Sequence, residues 1–151
     1  MRRIELLGSS HDRGGFDCGV APLNRYLRET ARQHIATGIA KTFVLVEETA
    51  VAPKPVLGFF TVSLCQVLGD DVPSKWAKKL PDQIPALRLG RLAVARTRQG
   101  EGLGKVLLVA AIYNRRRVII GRAPRDVDRS IAPIKAAAPR RPLRSHIRPR
   151  P

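Results

Sequence analysis

The sequence predicts an α+β domain of three layers, with a mixed, mostly antiparallel central sheet flanked by helices. Three observations predict it. Two runs rich in β-branched and aromatic residues, Thr42 to Val46 and Val56 to Val67, flank a turn-forming stretch from Ala50 to Pro55, as an antiparallel strand pair requires. Apolar residues recur at helical spacing before this pair, at Leu23, Tyr26, Leu27 and Ala31, and after it, at Leu103, Val106, Leu107, Ala110 and Ala111. From Asn114 onward both patterns dissolve, so the C-terminal half of the fold is expected to be incomplete.

Taken in order, Arg2 to Leu7 alternates weakly and runs into Gly8-Ser9-Ser10, which suits a first strand and a turn. Pro22 stands where a first helical turn tolerates it, and opens an amphipathic helix of about four turns. After the strand pair, Asp70 to Pro85 contains three prolines and reads as an irregular connection with one helical turn around Trp76. Leu87 and Leu89 share one strand parity while Leu92 and Val94 share the other. A β-bulge at Gly90-Arg91 would return all four to one face. The glycine-rich turn Arg98 to Gly104 then leads into the second amphipathic helix. Val118 to Ile120 could add a short strand, and residues 121–151, dominated by Arg, Pro and Ala, are expected to form a disordered basic tail behind a core of residues 1–120.

The net charge of +16 points towards polyanions, but its distribution is uneven. Residues 1–113 hold 16 Lys/Arg against 10 Asp/Glu (+6), and residues 114–151 hold 12 against 2 (+10). Cys18 and Cys65 have no metal-ligand spacing and are expected to be reduced packing residues. His11, His34 and His146 have no acidic or cysteine partner in register and are expected at the surface, so no metal is assigned. Neither a signal peptide nor an apolar run of the roughly 20 residues that span a bilayer is present, so a cytoplasmic location and no membrane partner are expected.

A turn of glycines at a helix N-terminus exposes backbone N–H groups to phosphate oxygens, and the helix dipole favours the anion. Spacing restricts the ligand. A Walker A loop would need a glycine at Gln99 and a hydroxyl at Val106, and a dinucleotide fingerprint would need G-x-G-x-x-G where Gly100, Gly102 and Gly104 give G-x-G-x-G. Gln99, Gly102 and Gly104 instead fit Q/R-x-x-G-x-G/A, between a bulged strand and a helix, and here the sequence resembles the Gcn5-related N-acetyltransferase superfamily. More narrowly, Phe16-Asp17-Cys18-Gly19, Leu23 to Leu27, Thr42-Phe43-Val44, Leu57 to Ser63 and Leu89 to Val94 resemble the acetyltransferase toxins of toxin-antitoxin pairs, over about residues 4–112.

The resemblance implies that acetyl-CoA is the cosubstrate. Its pantetheine arm would pair with the backbone of Leu92, Ala93 and Val94, and its pyrophosphate would rest on the amides of Gln99, Gly100, Glu101, Gly102, Leu103 and Gly104. It further implies acetyl transfer to the amino group of aminoacyl-tRNA and neutralisation by a ribbon-helix-helix antitoxin. The toxins carry a late tyrosine as general acid, and no tyrosine follows Tyr113 in this sequence, so no catalytic residue is assigned. The composition of the last third resembles out-of-frame translation of GC-rich coding sequence. A frameshifted or truncated member, inactive in catalysis and acting only as an antitoxin-binding or polyanion-binding protein, is the alternative reading. Arg115-Arg116-Arg117 could contact RNA or simply end a helix, and Glu101 is expected to point to solvent. A purely RNA-binding module has little support, because the few aromatic residues form no stacking pattern.

Overall fold

A computed structural model of the chain describes residues 1–68, 71–77 and 81–114. Along it run β1 (Arg2–Leu6), β2 (His11–Asp12), α1 (Ala21–Arg25), a π-helical turn (Tyr26–Thr30), α2 (Ala31–Ala36), β3 (Lys41–Glu47) and β4 (Lys54–Pro55). These are followed by β5 (Gly58–Leu68), α3 (Ser74–Ala77), β6 (Gln83–Val94), a 3-10 turn (Arg96–Arg98) and α4 (Leu103–Tyr113). Four strands make an antiparallel sheet in the order β1-β3-β5-β6, and β2 pairs with β4 in parallel. The tail 121–151, Val118 to Ile120, Arg115 to Arg117 and His146 lie outside the described residues.

The sheet is covered on both faces, which gives the three expected layers. Strand β3 is buried from Thr42 to Val46, and its alternate side chains serve two cores. Val44 and Val46 join Phe16, Tyr26, Leu27, Ala31 and Phe59 under the α1–α2 segment. On the opposite face Phe43 and Leu45 join Phe60, Val62, Leu103, Leu107 and Ala111 under α4. Aromatic pairs fill each layer, Phe16 edge-on to Phe59 at 5.4 Å and Phe43 stacked on Phe60 at 5.2 Å. Between them the hydroxyls of buried Thr42 and Thr61 satisfy one another at 3.1 Å.

The first helix is not the uninterrupted four turns that its periodicity predicts. The Ala31 N–H reaches back to the Tyr26 carbonyl, a π-type step. Tyr26, Leu27 and Ala31 are all buried, and a five-residue step brings Ala31 round to the face that Tyr26 occupies, where an ordinary α-turn would carry it away.

The bulge lies where side-chain parity predicts it. Thr61 pairs with Arg91 and Val62 with Leu89, leaving Gly90 as the extra residue. Leu87, Leu92 and Val94 consequently pack on the α4 core, while Leu89 shares their side of the sheet but is 39% exposed. Strand β6 begins earlier than expected, at Gln83, and passes through Pro85, which pairs with Gln66. An edge strand accommodates proline because its missing N–H can face away from the neighbour.

His11 is not at the surface as expected: it is 6% exposed. Its Nδ1 accepts the Gly8 N–H at 2.9 Å, which leaves Nε2 to donate to Glu5 Oε2 at 2.9 Å. The Lys54 ammonium donates to Glu5 Oε1 at 2.7 Å, so one carboxylate ties β1 to both strands of the β2–β4 pair. Desolvation pushes the Glu5 carboxyl up, but the hydrogen bonds and charges of Lys54 and His11 outweigh it and hold the group below its ordinary value of 4.5. A lowered carboxyl contributes stability that is present above the unfolded value and lost as pH falls through the folded one. Glu5→Gln is therefore expected to flatten the acid limb of a plot of Tm against pH below about 4.5. An acid limb identical to that of the wild type would show that the cluster contributes nothing there.

Candidate functional site

Among the described residues β6 has β5 as its sole neighbour, so its other edge is bare. The Ala95 N–H donates to Leu57 O at 2.9 Å, and the antiparallel alternation then turns Ala93 towards Phe59. Leu92 and Val94 direct their N–H and C=O groups to the open edge. The bulge at Gly90 changes the pitch of this edge immediately before Arg91.

Directly beyond β6 the chain makes its 3-10 turn and enters the glycine loop. Gly100 and Gly102 adopt left-handed φ of 87° and 76°, and Gly102 is the N-cap of α4. In both positions and at Gly104, a Cβ would meet nothing within 4 Å. The N–H groups of Gly100, Glu101, Gly102, Leu103 and Gly104 have no backbone carbonyl partner among the described residues, whereas those of Arg98, Gln99, Lys105 and Val106 do. A helix N-terminus preceded by left-handed residues concentrates unpaired donors in one concavity, with the positive end of the helix behind them.

Three attachments hold this loop. The Gln99 amide Nε2 donates to Val94 O and to Cys18 O, both at 3.0 Å, clamping the loop to the end of β6. The Arg96 N–H donates to Asp17 O at 2.8 Å. Asp17 in turn accepts the Gly19 N–H and the Asn24 side-chain amide, two bonds that lower its carboxyl, the Gly19 contact most, with exposed Arg96 adding a smaller effect. Glu101 is exposed as expected, but its carboxylate is not without partners. Its carboxylate receives Arg2 at 2.5 Å and Arg98 at 3.5 Å, so its charge is matched and turned to β1.

Of the expected site residues, Leu92, Val94, Gly100, Glu101, Gly102, Leu103 and Gly104 present backbone groups along one edge and one turn. Ala93 instead faces β5, and Gln99 spends its N–H on Arg96 O and its side chain on the clamp. Sequence reading missed the clamp, although Gln99, three residues before the left-handed Gly102, was itself part of the motif. It also missed the Asp17–Asn24 contact and the pairing of Arg91 with Tyr26. A cleft of about 320 Å³ opens beside the 3-10 turn, lined by Asp12, Asp17, Pro55, Leu57, Arg96 and Arg98. The unpaired amides form an open ledge and do not line that cleft. Cys18 is buried in the α1–α2 core and Cys65 is half-buried in β5. Among the described residues no three His, Cys, Asp or Glu side chains gather as a metal site, and no helix is long and apolar enough to cross a membrane.

No protein-family model matches the sequence. A tRNA-acetylating toxin of Mycobacterium tuberculosis (strain ATCC 25618 / H37Rv) is 33% identical over 106 residues, which cover 70% of this chain and 61% of that protein. Among solved structures, AtaT complexed with acetyl-methionyl-tRNAfMet is similar with a TM-score of 0.69 and 30% identity, over 80% of this chain and 74% of the other. A tyrosine-to-phenylalanine mutant of AtaT, bound to the C-terminus of the antitoxin AtaR and acetyl-CoA, gives a TM-score of 0.60 at 29% identity, over 74% and 64% of the two chains. The chain spans about three fifths of the length of the curated relatives it matches.

Proposed function

Because the chain belongs to the acetyltransferase toxins of the Gcn5-related N-acetyltransferase fold, we propose that it binds acetyl-CoA along β6 and the glycine turn and transfers the acetyl group to the amine of an aminoacylated tRNA. One observation carries the reading: among the described residues, a bare, bulged strand edge leads through the 3-10 turn to five consecutive amides without a backbone partner, Gly100 to Gly104, at the entrance to α4. The amides of Gly100 to Gly104 hold the diphosphate, since each donor meets an oxygen without displacing a protein partner. Leu92 and Val94 pair with the amide-bearing arm as a strand edge pairs with a peptide. The Gln99 clamp occupies Val94 O, so the arm takes the Val94 N–H and both groups of Leu92. Ala93 and Gln99 support these contacts from within the fold.

Acetyl transfer proceeds by attack of an uncharged amine on the thioester carbonyl, with loss and protonation of the CoA thiolate. The bulge leaves room for that carbonyl beside Gly90. Residues 1–120 form the binding core and 121–151 a basic extension, with action in the cytoplasm and an antitoxin of the ribbon-helix-helix type as protein partner. Isothermal titration with acetyl-CoA tests the reading, with saturable 1:1 binding expected. Folded protein that releases no heat and shows no shift in Tm at millimolar acetyl-CoA would refute it.

A second reading, binding without catalysis, has one observation in its favour. The sequence holds two tyrosines, and the Tyr26 hydroxyl is engaged by His34 at 3.3 Å while Tyr113 is 79% exposed at the end of α4. The first hydroxyl is thus engaged within the fold, and the second lies at the opposite end of α4 from the glycine turn. Acetyl-CoA binding without transfer to aminoacyl-tRNA in a single-turnover assay would select it.

A further inference from the structure

We infer that Arg91 is the positioning residue for the acceptor, gripping a phosphodiester near the single-stranded 3′ end of the RNA; this rests on the acetyltransferase reading. Arg91 follows the bulge residue and pairs with Thr61, which turns its side chain to the α1–α2 face, opposite Leu92. Its guanidinium carbon lies 3.8 Å above the centre of the Tyr26 ring. That ring is 5% exposed and stacked near Phe59, its hydroxyl is held by His34, and it opens the π-helical turn. The platform is fixed from below, and π-type turns inside helices frequently accompany functional sites.

Arg91 is exposed, and none of the ion pairs among the described residues includes it. A cation stacked by one face on a buried aromatic ring keeps the N–H groups of its rim free, in a fork that matches two oxygens of a phosphate. Pre-ordering of this kind lowers the entropy lost on binding. The surrounding charge favours a polyanion over a lone carboxylate. Arg88 pairs with Ser63 on the same face of β6, and the helical segment bearing Tyr26 adds exposed Arg25, Arg28 and Arg32 against one acidic residue, Glu29. An arm laid from Gly100–Gly104 back along Val94 and Leu92 ends at Gly90. The acceptor amine must arrive there, and Arg91 is the cation that directly follows Gly90, its side chain on the helix side.

The test compares two RNA probes, a stem-loop with a single-stranded 3′ overhang and the same stem-loop blunt-ended, on the full chain. The basic C-terminal segment contributes to both, so the ratio of the two affinities isolates the overhang. Wild type is expected to prefer the overhang. Arg91→Ala should remove about tenfold of that preference, the worth of one charge-assisted hydrogen bond, and Arg91→Lys should restore part of it. Acetyl-CoA affinity and Tm, measured on the same samples, should stay at wild-type values. A wild type without preference, or an Arg91→Ala chain that keeps it, overturns the assignment of Arg91. Loss of acetyl-CoA binding in every sample, wild type included, overturns the acetyltransferase reading instead.

Discussion

Gly104→Leu is expected to abolish measurable acetyl-CoA binding, a loss of at least about 100-fold, while leaving the protein as stable as before or slightly more so. Gly104 lies in the first turn of α4, and a Cβ there meets nothing within 4 Å. Helix propensity favours leucine over glycine by up to about 0.8 kcal/mol, so the fold loses nothing. The added side chain occupies the space that phosphate oxygens need in order to reach the surrounding amides. Gly102→Val separates the two effects in the other direction. Its φ of 76° is strained for a β-branched residue by about 1–3 kcal/mol, so that variant should lose stability together with binding. Calorimetry and thermal unfolding of the pair discriminate a blocked ledge from a damaged fold. Gly104→Leu protein that binds acetyl-CoA normally would place the diphosphate elsewhere.

The largest expected loss of stability comes from Gly58→Val. A Cβ at Gly58 would stand 2.8 Å from Leu107 Cδ1 and 2.9 Å from the Ala93 carbonyl oxygen. The leucine end can swing aside, but the carbonyl belongs to the β5–β6 ladder and cannot move without separating the strands. Overpacking of this kind costs about 3 kcal/mol or more, which for a domain near this size lowers Tm by about 10 °C. Because Leu107 belongs to α4, displacing it also tilts the helix whose first turn forms the ledge. A Tm equal to that of the wild type would mean that the three elements are less closely packed than their geometry indicates.

The sequence disclosed most where periodicity carries the signal. The shift in parity between Leu89 and Leu92 located the bulge to the pair Gly90-Arg91, of which Gly90 is the extra residue, because a buried face leaves one register open to a strand. The glycines at 100, 102 and 104 announced the turn, since two of them need left-handed backbone. Contacts between distant residues were not legible. Glu101 meets Arg2 and Gln99 meets Cys18, partners 99 and 81 residues away. Pairing at such separations is set by the assembled sheet. The two-residue strands β2 and β4 are too short to show alternation, and without them nothing marked His11 as buried beside Glu5. Tyr26 read as one more apolar helical position. Its second role, as the bed on which Arg91 lies, arises only when β6 crosses beneath the helix.

The outer margin of β6, bare among the described residues, has a wider consequence. Twelve residues long, it offers hydrogen-bonding groups that any extended polypeptide can match, and such a margin is the usual starting point for edge-to-edge polymerisation. Pro85, Arg88 and the kink at Gly90 blunt it over much of its length, but the Val94 N–H and both backbone groups of Leu92 stay available for ligand. Occupancy and colloidal behaviour are thus governed by the same few backbone atoms, and a small molecule that fills that stretch also acts as a guard against self-association.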